Sequence, residues 1–513
     1  MNGADALIET LVVNGVTACF ANPGTSEMQF VSALDRHATM RPVLCLFEGV
    51  ATGAADGYGR MTGRAACTLL HLGPGYGNGL ANLHNARRAF TPIVNIIGDH
   101  ATYHRVHDAP LNSDVAAIAG ANSVWVKAAG SADDVGPLAA EAVAASHGPP
   151  GGSASLILPA DCAWSQTSTI GPRTDWAAKA AVDEATIEEV ARRVRAARKP
   201  VLLLGSGACC DAALAACGRI AAVGPRVLTD TFIARQGRGG GRFAPDRMMY
   251  FGEMAIADLA GVDLMVLVET VTPVAFFAYP DRPSVLVPEG CEVATLASRG
   301  QHGAAALSAL ADLLAAPANG AVQSLSLPTA ALGPLTPAGA GAAIARHLPA
   351  GAIISDDSVT SGQPILNLTR GAASHEWLGL TGGAIGQGIP VAIGAAVAAP
   401  DRKVISLNGD GAALYTIQGL WTAAREGLDL TVVVFVNNLY RILGIELGRT
   451  GSGNPGPAAS RLLSLGDPNL DWLSLAKGLG MLASRCETAE SFDAAFARAM
   501  VEPGPHFIEA VIG

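Results

Sequence analysis

Charge is scarce in this chain. Asp, Glu, Lys and Arg make up 15% of its 513 residues, well below the usual quarter. No basic block occurs, and 34 Lys and Arg against 44 Asp and Glu leave a net charge of −10. That balance makes a poor nucleic-acid binder. Long apolar runs are also missing. Stretches such as Thr431–Val436 are strand-sized and far short of the roughly 20 residues a membrane span needs. No C-x-x-C occurs among the nine cysteines, an odd number. Cys209 and Cys210 are adjacent, which suits neither a structural disulfide nor a zinc knuckle, so all nine are expected to be reduced. The 60 glycines and 30 prolines follow no Gly-X-Y period. The opening residues carry Asp5 and Glu9 where an export signal has Lys or Arg, and they read as an amphipathic helix of a cytoplasmic protein.

What is present is enough chain for about three domains, with half of it hydrophobic. Short apolar runs alternate with Ala-rich helical stretches, the pattern of βαβ units and parallel sheets. The expected class is α/β, with three doubly wound parallel-sheet domains over residues 1–165, 184–316 and 334–513. In the first, strands are expected at Ala18–Phe20, Val43–Phe47, Ala66–His71, Ile93–Ile97 and Ser155–Pro159. The middle region should carry Lys199–Leu204, Arg226–Leu228, Leu264–Val268 and Ser284–Val287. The last should carry Ala352–Ser355, Lys403–Leu407, Thr431–Val436 and His506–Val511.

Open parallel sheets bind ligands beyond the carboxyl ends of their strands, and three motifs stand there. Gly409-Asp410-Gly411-Ala412 follows the apolar run KVISL. Small residues let a backbone approach phosphate, and the carboxylate suits a hard cation. By itself the motif is equally a helix-capping turn. A second strand, Thr431–Val436, ends in Asn437-Asn438, with one helical stretch (Tyr415–Glu426) between. Two parallel strands joined by one helix put both turns at the same sheet end, so a carboxylate and an amide oxygen converge, as Mg²⁺ or Ca²⁺ requires. Third, Glu48 closes the apolar run VLCLF and precedes Ala54-Ala55-Asp56-Gly57-Tyr58-Gly59-Arg60. A buried lone carboxylate there is costly unless it is paired or set at a helix N-terminus.

The Gly-Asp-Gly…Asn spacing and the Glu48 run together resemble the thiamine-diphosphate enzymes of the acetolactate synthase, benzoylformate decarboxylase and pyruvate decarboxylase family, and are most similar to acetolactate synthase large-subunit-like members. The resemblance covers nearly the whole chain. It implies a pyrimidine-binding N-terminal domain, a central domain and a diphosphate-binding C-terminal domain. It implies Asp410, Asn437 and the carbonyl of Leu439 as metal ligands, with Asn438 and Tyr440 as a one-residue alternative. Glu48 would hydrogen-bond the aminopyrimidine and so promote loss of the thiazolium C2 proton. Thr381–Gly386 resembles the loop beneath the cofactor, with Ile385 as the bulky residue that folds it and the Gly383 carbonyl as acceptor for its amino group. Thr360 and Ser361 fall where relatives bind the diphosphate, as do Gly411 and Ala412. On the substrate side, Asn22-Pro23-Gly24-Thr25-Ser26-Glu27 and His71-Leu72 resemble benzoylformate decarboxylase loops, which makes Thr25, Ser26, His71 and Leu72 substrate candidates and His71 a proton carrier.

The resemblance thus implies thiamine diphosphate with Mg²⁺, a 2-oxo acid substrate, decarboxylation with or without carboligation, and a homodimer or homotetramer with sites at the subunit interface. The histidine at 71 points instead to an aldehyde-releasing decarboxylase. A flavin oxidase and a non-catalytic relative are the remaining readings. FAD is not expected, because the chain is shorter than typical FAD-bearing relatives and Gly205-Ser206-Gly207 lacks a third glycine. His100, His104 and His107 mimic a zinc spacing but lack an acidic partner, so they read as a loop at the site entrance.

Overall fold

The computed structural model describes residues 1–512. Its strands form three sheets. The first contains β1 (Ala18–Asn22), β2 (Arg41–Leu44), β3 (Ala66–Leu70), β4 (Ile93–Asp99), β5 (Trp125–Ala128) and β6 (Ser153–Pro159). Their order is β2-β1-β3-β4-β6-β5, and every pair is parallel. The middle region supplies β7 (Pro200–Leu204), β8 (Arg226–Thr229), β9 (Gln236–Arg238), β10 (Asp246–Arg247), β11 (Leu264–Val268) and β12 (Glu292–Ala297). Five of these form a parallel sheet in the order β10-β8-β7-β11-β12. The sixth, β9, leaves its neighbours and pairs antiparallel with the edge of the third sheet. That sheet contains β13 (Ile353–Asp357), β14 (His375–Leu378), β15 (Val404–Gly409), β16 (Leu430–Val436), β17 (Leu482–Cys486) and β18 (His506–Val511), in the order β17-β18-β16-β15-β13-β14-β9.

The central strands are continuous apolar runs because helices cover both sheet faces. All seven residues of β4 and of β16 are buried. Several expectations need correction. Ser284–Val287 is not a strand, and only an isolated bridge joins Val285 to Val274. Pro283 and Pro288 flank it, and proline can neither donate to a ladder nor leave φ near −65°. The run after Arg41 stops at Leu44, because the chain must turn to present Phe47 as the cap of the next helix. The stretch Tyr415–Glu426 is not one helix. It breaks between Asp410–Leu414 and Gly419–Arg425, where a Cβ on Gly419 would stand 2.7 Å from Ile389. The short strands β5, β9, β10, β14 and β17 and the strand β12 lay outside the strands expected from sequence.

None of the nine cysteines is in a disulfide, and seven are buried. Among the described residues, no helix is long and apolar enough to cross a membrane.

The first and third sheets meet through two helices, Glu48–Thr62 and Gly388–Ala398. Their backbones approach so closely that a Cβ on Gly57 would stand 2.0 Å from the Val391 carbonyl, and one on Gly394 would stand 1.8 Å from that of Ala54. At the end of the first helix, Arg60 is buried and bonds Asp56 through Nε (2.8 Å) and Nη2 (2.5 Å). The same guanidinium donates to the carbonyls of Ala234 (3.3 Å) and Gly379 (2.7 Å), to Thr381 Oγ1 and to Gln387 Oε1 (both 3.1 Å). Residues from all three regions therefore converge on one cation. Asp56→Ala should lower unfolding stability by about 3–5 kcal/mol, the cost of leaving a buried charge without its partner. Urea unfolding checks this, and a loss like that of an exposed pair would show that the clamp is not structural.

Candidate cofactor site

The carboxyl edge of the first sheet gathers five of the expected residues, Glu48, His71, Leu72, Thr25 and Ser26. Glu48 opens its helix, so its carboxylate meets the positive end of the helix. It is buried, and Asn78 Nδ2 donates to its Oε2 at 3.0 Å. His71 follows β3 and caps the helix Leu72–Ala89. Gly75 lies between the two, since a Cβ there would stand 3.2 Å from Glu48 Oε1 and 3.4 Å from His71 Cβ. Leu72 is held at φ 50°, a left-handed conformation costly for a branched residue, and its side chain is buried. Thr25 is exposed and Ser26 half-buried.

His71 has a partner that the sequence reading did not single out. Its Nδ1 lies 2.9 Å from Glu27 Oε2 and 3.2 Å from Ser26 Oγ. The Glu27 side chain is fully buried, and it accepts from Gly24 N (2.8 Å) and from Ser26 Oγ (2.5 Å). Two glycines make room. A Cβ on Gly24 would stand 2.2 Å from the imidazole, and one on Gly98 would stand 1.6 Å from Glu27 Oε1. A carboxylate on Nδ1 fixes the ring and leaves Nε2 for proton exchange. The signal in the sequence was an acidic residue ending the turn after β1. His100, His104 and His107 form an open row with ring centroids 5.5 and 5.6 Å apart. Among the described residues, no three His, Cys, Asp or Glu side chains converge as metal ligands.

The carboxyl edge of the third sheet gathers the others. Asp410 and Asn437 stand at the ends of the adjacent parallel strands β15 and β16. The Asp410 carboxylate is buried and accepts from Asn437 N (3.0 Å) and Asn438 N (2.6 Å) through Oδ2, and from Gly411 N (2.8 Å) through Oδ1. Burial pushes its carboxyl above the ordinary value, against those hydrogen bonds. A cation would reverse that shift. Asn437 Oδ1 accepts from Leu439 N (2.9 Å), and the Leu439 carbonyl accepts from Arg441 N (2.8 Å). Asn437 Oδ1, the Leu439 carbonyl and Asp410 Oδ1 each keep a second lone pair, while Asp410 Oδ2 is taken by two N–H groups, so a carboxylate, an amide and a carbonyl oxygen at one sheet end fit a hard cation. Asn438 takes φ 54° and contributes its backbone to Asp410. The Tyr440 ring covers Gly411, where a Cβ would stand 2.2 Å from a ring carbon. Ala412 is buried beside it.

Thr360 and Ser361 lie in the single turn Val359–Ser361 after β13. The loop carrying Gly383 (φ 77°) and Gly386 (φ 96°) is gripped from the first domain. Asn85 donates Nδ2 to the Ala384 carbonyl (2.8 Å) and accepts Ala384 N (3.2 Å). Asn82 Nδ2 reaches the carbonyls of Gly49 (2.7 Å) and Gly386 (3.5 Å). Ile385 is half-buried at the crest of this loop.

In the middle sheet, the Gly205–Gly207 turn is filled by the chain itself. Glu269, at φ 52°, lays its carboxylate 1.9 Å from where a Cβ on Gly207 would stand. Gly303 N (3.0 Å) and Lys179 hold it there.

One carboxylate buried among hydrogen-bond donors at a cation-fitting corner, and another opening a helix beside the histidine that follows β3, are the arrangement of an α/β enzyme with its site at the carboxyl ends of its strands. Residues 1–118 match the thiamine pyrophosphate enzyme N-terminal TPP binding domain, and residues 365–510 match the C-terminal TPP binding domain. The chain is 51% identical to a putative acetolactate synthase large subunit, IlvX, of Mycobacterium tuberculosis, covering 100% of this chain and 99% of that one. It is 27% identical to benzoylformate decarboxylase of Pseudomonas aeruginosa, covering 98% and 97%. Among solved structures, the thiamine diphosphate-dependent 4-hydroxybenzoylformate decarboxylase of Rhodococcus jostii shares the fold, with a TM-score of 0.87 at 24% identity, covering 100% and 99%. The chain belongs to the thiamine pyrophosphate enzyme family.

Glu27→Gln keeps the shape of the His71 partner and removes its charge. Turnover should fall by up to roughly 10²–10⁴-fold, the worth of a positioned acid–base group, while cofactor affinity stays at the wild-type value. Steady-state kinetics beside cofactor titration checks this, and unchanged turnover would make Glu27 a packing residue only.

Proposed function

We propose that the protein is a thiamine-diphosphate- and Mg²⁺-dependent enzyme acting on 2-oxo acids by decarboxylation, with or without carboligation. The observation that carries this reading is the meeting of Asp410 and Asn437 at the ends of β15 and β16. Asp410, Asn437 and the Leu439 carbonyl would hold the cation, and Thr360, Ser361, Gly411 and Ala412 the diphosphate. Thiamine diphosphate, when bound, supplies the carbanion and electron sink for the chemistry.

The chain's own residues then have separate tasks. Glu48, steadied by Asn78, exchanges a proton with the aminopyrimidine. The Gly383 carbonyl would accept from the cofactor's amino group, and Ile385 would pack against the cofactor. His71, oriented by Glu27, moves a proton at the substrate through Nε2, with Ser26 and Thr25 lining the approach. In this reading residues 1–165 form the pyrimidine domain, 184–316 the central domain and 334–513 the diphosphate domain. The working unit is a cytoplasmic homodimer or homotetramer whose sites lie between subunits. The His71–Glu27 pair favours a second outcome, protonation to release an aldehyde after decarboxylation, and a relative is named for the decarboxylation of benzoylformate.

Asp410→Ala should abolish Mg²⁺-dependent retention of thiamine diphosphate and leave the far-UV circular dichroism unchanged. Retention equal to wild type would remove the cation site from Asp410. Glu48→Gln keeps a hydrogen-bonding group but cannot exchange a proton. Hydrogen–deuterium exchange at C2 of the bound cofactor should slow by roughly 10²–10⁴-fold, with diphosphate anchoring intact. Exchange at the wild-type rate would leave Glu48 as a helix-capping carboxylate. The product is decided by incubating the holoenzyme with pyruvate, 2-oxobutyrate and benzoylformate and identifying what accompanies CO₂.

A further inference from the structure

Ile385 and Gly383 have work to do only if the loop that carries them is held still, and the structure holds it from two sides. Upstream, the Asn85 amide takes both the N–H and the carbonyl of Ala384. Downstream, one oxygen of Asp357 accepts three successive backbone N–H groups, from Gly386 (2.7 Å), Gln387 (2.9 Å) and Gly388 (3.2 Å). The Gly386 N–H belongs to the peptide that Ile385 begins, so its bond fixes the rotation of that peptide directly. Ile385 is therefore the single residue left between two anchors.

The downstream anchor is built with care for space. A Cβ on Gly388 would stand 2.8 Å from Asp357 Cβ and 2.2 Å from Asn408 Oδ1. Asp357 itself ends β13 and is 2% exposed. All three hydrogen bonds fall on Oδ2, while Oδ1 is buried with no partner among the described residues. Burial pushes the carboxyl up to about 7, against the pull of the three N–H bonds and with Asp356 adding to the rise. In its ionised form the carboxylate makes each bond roughly twice as strong as a neutral one, and the three N–H groups open a helix whose dipole favours that form.

We propose that Asp357 is a positioning residue for the cofactor, whose carboxylate locks the Gly386–Gly388 turn and thereby sets the Ile385 side chain, while Asn85 holds the preceding peptide. This rests on the thiamine-diphosphate reading above. It assigns the placing of Ile385 to a carboxylate buried behind the loop, whose partners are backbone N–H groups.

The test is Asp357→Asn in the holoenzyme. An amide oxygen can accept the same N–H groups, but without the charge, and its NH₂ takes the place of an oxygen that has no partner. At saturating cofactor, C2 hydrogen–deuterium exchange should slow by roughly 10–10²-fold, the scale of a misplacement near 1 Å. Ser355→Ala is the structural control. It removes the bond from Ser355 Oγ to the Gly388 carbonyl (2.9 Å) on the same turn but leaves the three N–H bonds, so its exchange rate should match wild type even where its thermal midpoint falls. If Asp357→Asn does not accumulate as folded protein, Asp357→Glu serves. It keeps the charge one methylene too far out and should shift the turn, slowing exchange to a smaller degree. Exchange at the wild-type rate in the folded Asp357 variant, or equal slowing in Ser355→Ala, overturns the proposal. Wild-type protein that neither binds thiamine diphosphate nor exchanges its C2 proton overturns the underlying reading instead.

Discussion

The buried pair of Asp56 and Arg60 is the interaction on which the rest of this molecule depends. A guanidinium taken out of water is tolerable only when its donors are all used. Here they are used on Asp56, on two carbonyls, on a hydroxyl and on an amide oxygen. Asp56 in turn accepts from Thr91 (2.6 Å). The acceptors come from the helix that Glu48 begins, from the turn before β9, and from the loop after β14. Arg235 doubles the tie, donating to the carbonyls of Arg60 (3.2 Å) and Met61 (2.9 Å) and to Glu376 (3.0 Å). The first and third sheets, which share one apolar core, and the middle sheet with cores of its own are thereby locked at one point. That point lies at the far end of the Glu48 helix, about 18 Å away at 1.5 Å per residue.

This arrangement explains why the cofactor loop has so little freedom despite its glycines. Gly382, Gly383 and Gly386 give it access to backbone shapes other residues avoid. That access is then withdrawn by side chains from elsewhere: Arg60 on Thr381 and Gln387, Asn85 on Ala384, and Asp357 on the turn that follows. Flexible residues provide the geometry, and buried polar groups choose one version of it. A preorganised site needs this, because a loop that had to be ordered at each turnover would cost the binding energy that catalysis uses.

The two carboxylate corners differ in kind. Asp410 is crowded by backbone N–H groups and desolvated, conditions that suit a resident cation. Glu48 has one amide partner and a helix dipole, and it faces a histidine across a glycine, conditions that suit a proton in motion. Glu27 gives that histidine a fixed orientation, completing a carboxylate–imidazole pair with its free nitrogen turned outward.

Much of this was legible in the sequence, for a definite reason. Runs such as LTVVVFV over β16 are apolar throughout because both faces are covered, and strand–turn–helix order places the turns at one sheet end whatever the details. Asp410, Asn437 and Glu48 could therefore be placed at strand ends from position, while their roles came from the family resemblance, and the three-region α/β plan followed from the alternation of strands and helices. The short edge strands β5, β9 and β17, and β14 beside β9, could not, because their residues pair through backbone that any side chain supplies. Pro283 and Pro288 removed one expected strand for the converse reason, a missing N–H. The partners of the site were also decided only in three dimensions. Glu27, Asn78, Asn85 and Asp357 are ordinary polar residues in sequence. Their roles come from groups brought together across 44, 30, 299 and 29 positions of chain. Local pattern specifies which residues end a strand, but the burial that makes a hydrogen-bond partner obligatory exists only once the sheets have packed.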